Sequence, residues 1–256
     1  GMNVTASHIN VICDSTIVNR VDSDDGIMVK DQSNVSILNC DWSDHVTAVN
    51  IEGSNNITIA GHKGWASAFS CTDSKEITLN DSSWKYASWS NCNKSLVQKN
   101  VFSNPGNFWA TTVTLTHDAI FKNNTFNNTY SAISSPTQGP FTNTTFYHNV
   151  FENIGGIYVD FNGWFAPNDE YNWNITVSGN PQGNNWDAYC DKGSDSDGDG
   201  YADIVSNAGG DYPFSRNQTT LFRPGDSITD WGPVYQACVT EVNLATGETT
   251  TSGSSD

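Results

Sequence analysis

Arginine occurs only at Arg20, Arg216 and Arg223 in this 256-residue chain, and Lys plus Arg number 11 against 28 Asp plus Glu, for a formal net charge of −17. Phosphate binding needs clustered cations, so nucleic acid is not a partner that suits this sequence. Anionic membrane surfaces are disfavoured for the same reason. No run approaches the roughly 20 apolar residues that span a bilayer, so no membrane insertion of this chain is expected. No Cys-x-x-Cys occurs, which argues against cysteine metal sites. The two methionines and five scattered histidines weaken a periplasmic metal-delivery reading. "MNVTASHINVICDS" lacks the basic start and continuous apolar core of a secretory leader. Gly1 reads as an added or processed end, so that lack does not decide the compartment.

What is abundant is Asn, Ser and Thr. Thr, Val, Ile and aromatics favour strands, while Asn, Gly and Asp favour turns. Nine tryptophans within 12% aromatic residues are ample for a core, which argues against disorder. The composition is that of an all-β protein with frequent corners.

The strands recur. "SNVSILNCDW" (33–42), "NNITIAGHKGW" (55–65), "SKEITLNDSSW" (74–84), "KSLVQKNVFS" (94–103), "DAIFKNNTFNN" (118–128), "TNTTFYHNVFEN" (142–153) and "WNITVSGNPQGNNW" (173–186) each run from a polar residue through a short alternating strand to an Asn, Asp or Gly corner. An earlier copy begins near "SHINVICDS". One such strand cannot bury its apolar side alone, whereas stacked copies can. A period of about two dozen residues matches a rung of a right-handed parallel β-helix, here of about seven or eight rungs. Proline is nearly absent from the strand stretches, as parallel pairing requires. A propeller blade needs about 40 residues. A sandwich needs hairpin turns, and Asn-Gly occurs only at 162–163. Trp42, Trp65 and Trp84 follow their strands at similar offsets, and an interior stack is preferred to an outward sugar platform. Phe102, Phe126, Phe146 and Phe151 also read as core.

Six cysteines test this register. Cys71 and Cys92 lie one rung apart, Cys13 and Cys40 share an "I-C-D-S"/"N-C-D-W" context, and Cys190 and Cys238 remain. Stacked rungs lie about 4.8 Å apart, near the Cα separation a disulfide tolerates. The expectation is 13–40, 71–92 and 190–238, with free buried thiols as the alternative. Disulfides would place the protein outside the cytosol.

"DSDGDGYAD" (195–203) concentrates carboxylates in an already acidic chain. Asp195, Asp197 and Asp199 fall at positions 1, 3 and 5 of a calcium loop. Gly200 falls at 6, Tyr201 offers a backbone carbonyl at 7, and Asp203 falls at 9. Ser206 stands at position 12, where a sensor EF-hand has glutamate, so the loop resembles those of dockerin and thrombospondin type 3 repeats. Asp211 is a candidate to close the shell. A structural Ca²⁺ is expected, against the alternative of a solvated acidic turn. Asn-x-Ser/Thr sequons start at Asn3, Asn34, Asn56, Asn80, Asn93, Asn123, Asn127, Asn143, Asn174 and Asn217. Chance gives roughly six at this composition, so some are simply the strand-entry repeat.

Gly183, Asn184, Trp186 and Tyr189, then Asp199, Gly200 and Asp203, then Asp211, Tyr212 and Pro213 together resemble the ending of many archaeal and bacterial right-handed parallel β-helix surface proteins. The resemblance implies a pectate-lyase-like extracellular solenoid capped by a calcium loop. Cys190 departs from that ending. The expected organisation is a β-helix over 1–189, a disulfide-linked calcium cap over 190–239, and a C-terminal strand with a Thr/Ser/Gly linker over 240–256. The chain then reads as one piece of a longer surface or filament protein.

Parallel β-helices also host polysaccharide lyases, hydrolases and epimerases. A lyase needs a base beside a charge-neutralising cation, and the arginines are scattered. A hydrolase needs two carboxylates across a sugar bond. Asp22, Asp24, Asp25, Asp41, Asp44 and Asp160 are candidates without a recognisable constellation. His8, His45, His62, His117 and His148 share no register, and His117-Asp118 reads as a corner. The expectation is a non-catalytic extracellular module, structural or adhesive, with glycans or copies of itself as partners. The alternative is a polysaccharide-active enzyme.

Overall fold

Alternating β-branched and small polar residues put one side of each short segment out of water, and these segments form the strands. The structure, a computed structural model, describes residues 1–13, 25–42, 45–63, 68–105, 109–114, 116–135, 143–161, 171–172, 175–177, 180–186, 214–217, 227–230, 240–242 and 249–251. Among them are β1 (Met2–Val4), β2 (Ile9–Ile12), β3 (Ile27–Lys30), β4 (Ser33–Leu38), β5 (Thr47–Glu52), β6 (Asn55–Ala60), β7 (Ala68–Thr72), β8 (Lys75–Asn80) and β9 (Ser83–Trp84). There follow β10 (Tyr86–Ser90), β11 (Leu96–Gln98), β12 (Val101–Ser103), β13 (Trp109–Thr114), β14 (Ile120–Lys122), β15 (Thr125–Ser135), β16 (Thr144–Tyr147), β17 (Val150–Phe161) and β18 (Tyr171–Asn172). No helix occurs among the described residues.

One sheet runs β1-β3-β5-β7-β10-β13-β15 and continues to β17, and a second runs β2-β4-β6-β8-β11-β14-β16-β18. A third side stacks β9, β12, the starts of β15 and β17, and Asn185–Trp186. Every ladder of these sheets is parallel, so the fold is an all-β parallel solenoid and not a sandwich. About five turns, from β3–β4 to β13–β14, carry the full regular unit, fewer than the seven or eight rungs expected, and further strands extend the sheets at both ends. The last expected rung, 173–186, departs further. Ile175–Val177 pairs antiparallel with Asn180–Gln182, and Tyr171–Asn172 extends the second sheet instead. Pro181 has no N–H to give to a parallel ladder. Two more short antiparallel pairs join Phe214–Asn217 to Ser227–Asp230 and Thr240–Val242 to Thr249–Thr251.

Each turn bends at residues with positive φ, and all of these but Asn128 fall into three columns. One holds Asp31, Gly53, Asp73 and Asn91. A second holds Asn39, Gly61, Asp81, Lys99, Asn123 and His148. The third holds His8, Asn34, Asn56, Glu76, Lys94, Asp118 and Asn143. Asn and Asp tolerate this conformation better than other L-residues. At Gly61 the requirement is also one of space, because a Cβ would lie 2.3 Å from Asn39 Oδ1 in the turn before.

Inside, Val35, Ile57 and Ile77 stack in register, as do Ile37, Ile59 and Leu79. Trp84, Phe102, Phe126 and Phe151 form a fully buried column, with Phe102–Phe126 and Phe126–Phe151 centroids 5.1 and 5.0 Å apart. Trp42 and Trp84 are interior as expected, but the ring between them is His62, at 6.1 and 4.3 Å. Trp65 lies outside the described residues.

One residue past the second corner runs a buried polar ladder. His62 N donates to Ser82 Oγ, and Ser82 N donates to Asn100 Oδ1. Asn100, Asn124 and Asn149 each donate a backbone N–H at 3.0 Å to the side-chain oxygen of the next member, the last being Asn184. Their Nδ2 groups donate back to Leu79 O, Val97 O and Phe121 O. His62 Nδ1 sits 2.8 Å from Cys40 O, and since a carbonyl only accepts, that nitrogen carries the proton.

Two outcomes follow. Asn124→Ala strips the acceptor from the buried Asn100 N–H, so urea unfolding should show a loss of about 2–4 kcal/mol. At the exposed corner, Asn56→Gly should stay within about 1 kcal/mol of wild type, whereas Asn56→Val should cost about 1–2 kcal/mol more than the glycine. Both changes delete the same side-chain bond to Asn34, so their difference reads the backbone alone.

Candidate functional site

The parallel register decides what the two large faces present. Along the outward side of the first sheet the aligned positions are Met28, Asn50, Ser70 and Ser88, and the same register continues through Thr112 and Ser134, both buried, to Asp160 of β17. A second row aligns Lys30, Glu52, Thr72, Ser90 and Thr114. On the second sheet the rows are Asn10, Ser36, Thr58, Thr78, Leu96, Ile120 and Thr145, and Leu38, Ala60, Asn80, Gln98, Lys122 and Tyr147. Adjacent members are one strand spacing apart, about 4.8 Å. Hydroxyls and amides recur in these rows, interrupted by the apolar Met28, Leu38, Ala60, Leu96 and Ile120 and by the charged Lys30, Glu52 and Lys122. Within the first sheet, the Tyr86 hydroxyl and Thr112 Oγ1 are 2.5 Å apart. The exposed pair Lys30 Nζ–Glu52 Oε1 closes to 2.7 Å, and the hydrogen bond that Lys30 donates to Glu52 raises the pKa of its ammonium above the ordinary value.

Two disulfides join turns, Cys13–Cys40 and Cys71–Cys92, with Cα separations of 4.8 and 6.3 Å. Both match the sequence expectation, and in both the second cysteine lies just past a left-handed corner, Cys40 after Asn39 and Cys92 after Asn91. Cys71 is the register partner of Trp89, not of Cys92, which lies three residues on, just past the left-handed Asn91. The bond spans a corner and does not follow a stacked position. Cys190 and Cys238 lie outside the described residues, as do Asp195, Asp197, Asp199, Tyr201, Asp203, Ser206 and Asp211 of the expected calcium loop.

The sequons separate by geometry. Asn34, Asn56, Asn123 and Asn143 are exposed left-handed corners. The residue after each is buried, and the Ser or Thr after that belongs to the outer face in Asn34, Asn56 and Asn143. Asn56 donates to Asn34 Oδ1 at 2.6 Å, and Asn143 donates to Asp118 Oδ1 at 2.9 Å. Asn93 donates to Asn91 Oδ1 and accepts from the His117 N–H, and Asn127 donates to Glu152. Asn80 is half-buried at the end of β8, Asn3 is exposed in β1, and Asn217 lies in the Phe214–Asn217 strand. Asn174 lies outside the described residues.

The described candidate carboxylates divide between the start of the solenoid, where Gly26 beside Asp25 lies against Trp42 beside Asp41, and Asp160 in β17. Asp25 Oδ2 accepts from Asn50 Nδ2 at 3.0 Å, Asp41 follows β4, and Asp160 lies in β17, while Asp22, Asp24 and Asp44 are outside the described residues. Asp25 precedes β3, six strands from β17, or roughly 29 Å at the usual strand spacing. A glycosidase pair needs about 5–9.5 Å. Among the histidines, His8 and His148 are corners, His62 belongs to the ladder, and the backbone N–H of His45 donates to Trp42 O. Asp118 is itself a left-handed corner, so His117-Asp118 is a bend in the chain. Arg216 lies in the strand pairing with Ser227–Asp230, while Arg20 and Arg223 lie outside the described residues.

No protein-family model matches the sequence. No curated protein matches it either. Among solved structures there is similarity to trypsin-treated QnrB1, a plasmid-mediated fluoroquinolone resistance protein, at 9% identity and a TM-score of 0.23, covering 63% of this chain and 82% of that one. At that score nothing about this chain's activity or partners follows.

Proposed function

We propose that the chain is an extracellular structural or adhesive β-helix module of a cell-surface, coat or filament protein, braced by disulfides and calcium. The observation that supports this reading is the pair of outer faces, on which Ser, Thr and Asn recur in register, as at Asn50, Ser70 and Ser88 and at Ser36, Thr58 and Thr78. Such faces suit lateral contact with glycans or with copies of the same module. The two disulfides fit an oxidising environment, and secretion supplies one. The exposed sequons at Asn3, Asn34, Asn56, Asn123 and Asn143 are the candidate glycan acceptors of such a surface.

The calcium part of the proposal rests on the donor set. Four carboxylates at alternate positions and a backbone carbonyl around Gly200 match the hard-oxygen chemistry of Ca²⁺. Asp195, Asp197, Asp199, Tyr201 and Asp203 would hold the ion, whose charge offsets their mutual repulsion in the cap over 190–239.

Chelation by EGTA should lower the melting temperature, and Asp199→Ala should abolish that response. A melting curve indifferent to chelator removes calcium from the proposal. Incubation with a panel of neutral and uronic glycans should release neither reducing ends nor unsaturated products. Either product would replace the structural reading with a polysaccharide-active enzyme.

A further inference from the structure

We propose that the two disulfides have different roles, Cys13–Cys40 being a reducible latch on the first turn and Cys71–Cys92 a shielded staple. Cys71 and Cys92 are both wholly buried, and their bond lies between turns that have neighbours on both sides. Cys13 is partly exposed, and it follows β2, the last strand of its sheet among the described residues. Cys13 packs on the core by one side only, and the preceding residue is open to solvent. Ile12 is 68% exposed, and Val11 packs only partly against the core.

The first turn has few other ties. β1 makes three register pairs with β3, and β2 makes four with β4. Each lacks a second neighbour among the described residues. Strand pairs this short are marginal without packing on both sides. A dithiol thiolate that reaches Cys13 Sγ forms a mixed disulfide there and expels Cys40 as a thiolate. The second thiol of the reagent then closes its own ring, expelling Cys13, so two electrons pass to the protein and the reagent leaves as its cyclic disulfide. With the latch open the turn frays and uncovers the inward Val35 and Ile37 of β4, which it now shields. The Cys40 carbonyl is also where His62 anchors, so the event is felt at the start of the buried ladder.

The experiment is a pulse of dithiothreitol on the native full chain, trapping with iodoacetamide, and peptide-resolved quantification of Cys13, Cys40, Cys71 and Cys92. Cys13 and Cys40 should be alkylated at least about tenfold faster than Cys71 and Cys92. Hydrogen exchange on the same pulse should accelerate about tenfold or more in 2–4 and 9–12 and stay unchanged in 75–80 and 96–103. Equal rates for the two bonds, earlier opening of Cys71–Cys92, or unaltered exchange in 2–12 after Cys13 and Cys40 are free would each overturn the proposal. The double variant Cys13→Ser with Cys40→Ser should show the accelerated exchange without reductant. If it does not fold, the short pulse on the wild-type chain still decides.

Discussion

A coil of parallel strands can stack only if every turn bends at the same places, and here the bends are single residues forced into left-handed backbone. Left-handed conformation costs most L-residues about 1–2 kcal/mol, so a turn that slips by one residue moves that cost onto the wrong side chain and turns its core face outward. The second and third columns show how tightly this holds. From Asn34 to Asn39, Asn56 to Gly61, Glu76 to Asp81, Lys94 to Lys99, Asp118 to Asn123 and Asn143 to His148 the interval is always five residues. The ladder at Ser82, Asn100, Asn124, Asn149 and Asn184 depends on that constancy, since each side-chain oxygen must meet the backbone N–H of the turn before it.

This explains what the sequence made legible. The windows from 33 to 153 were recognisable because each contains the five-residue arc and its Asn, Asp or Gly corners. The other large sheet was not recognised, although "TAVNIE" and "AFSCT" alternate as regularly. Its strands begin at varying distances from the preceding corner, so they do not line up when one period is imposed. The imposed period aligns Trp65 with Trp42 and Trp84 and passes over His62, whose ring lies between those two. Imidazole is aromatic enough to stack and polar enough to bond the Cys40 carbonyl, a double role that hydropathy does not register. Spacing of one turn points to Cys71–Cys92, and a shared local context points to Cys13–Cys40. Spacing does not distinguish a stacked pair from a bond across a corner, which is the geometry of Cys71–Cys92.

The excess of sequons has a mechanical source. A left-handed corner favours Asn, the next position points inward, and the one after points outward in a strand, where Ser and Thr are at home. Asn-Val-Ser at 34, Asn-Ile-Thr at 56 and Asn-Thr-Thr at 143 are that sentence written three times. The motif therefore recurs whether or not an enzyme ever reads it. By the same logic the Ser and Thr files on the outer faces arise turn by turn from strand propensity, and what makes them a surface is the register that aligns them.

Variation in length is confined to the rest of each turn, which carries the third side and the strand of the first sheet. The interval from the second corner to the next third corner runs 17 residues from Asn39 to Asn56, 15 from Gly61 to Glu76, 13 from Asp81 to Lys94, 19 from Lys99 to Asp118 and 20 from Asn123 to Asn143. Extra length there costs little, because loop-closure entropy grows only slowly with length while the arc that carries the ladder is untouched. Individuality can therefore be added to a turn there without disturbing its neighbours' register, whereas any insertion into the arc would shift a left-handed corner and an Asn of the ladder together. A solenoid built this way keeps the second sheet and its two corners uniform and lets the rest of each turn differ in length.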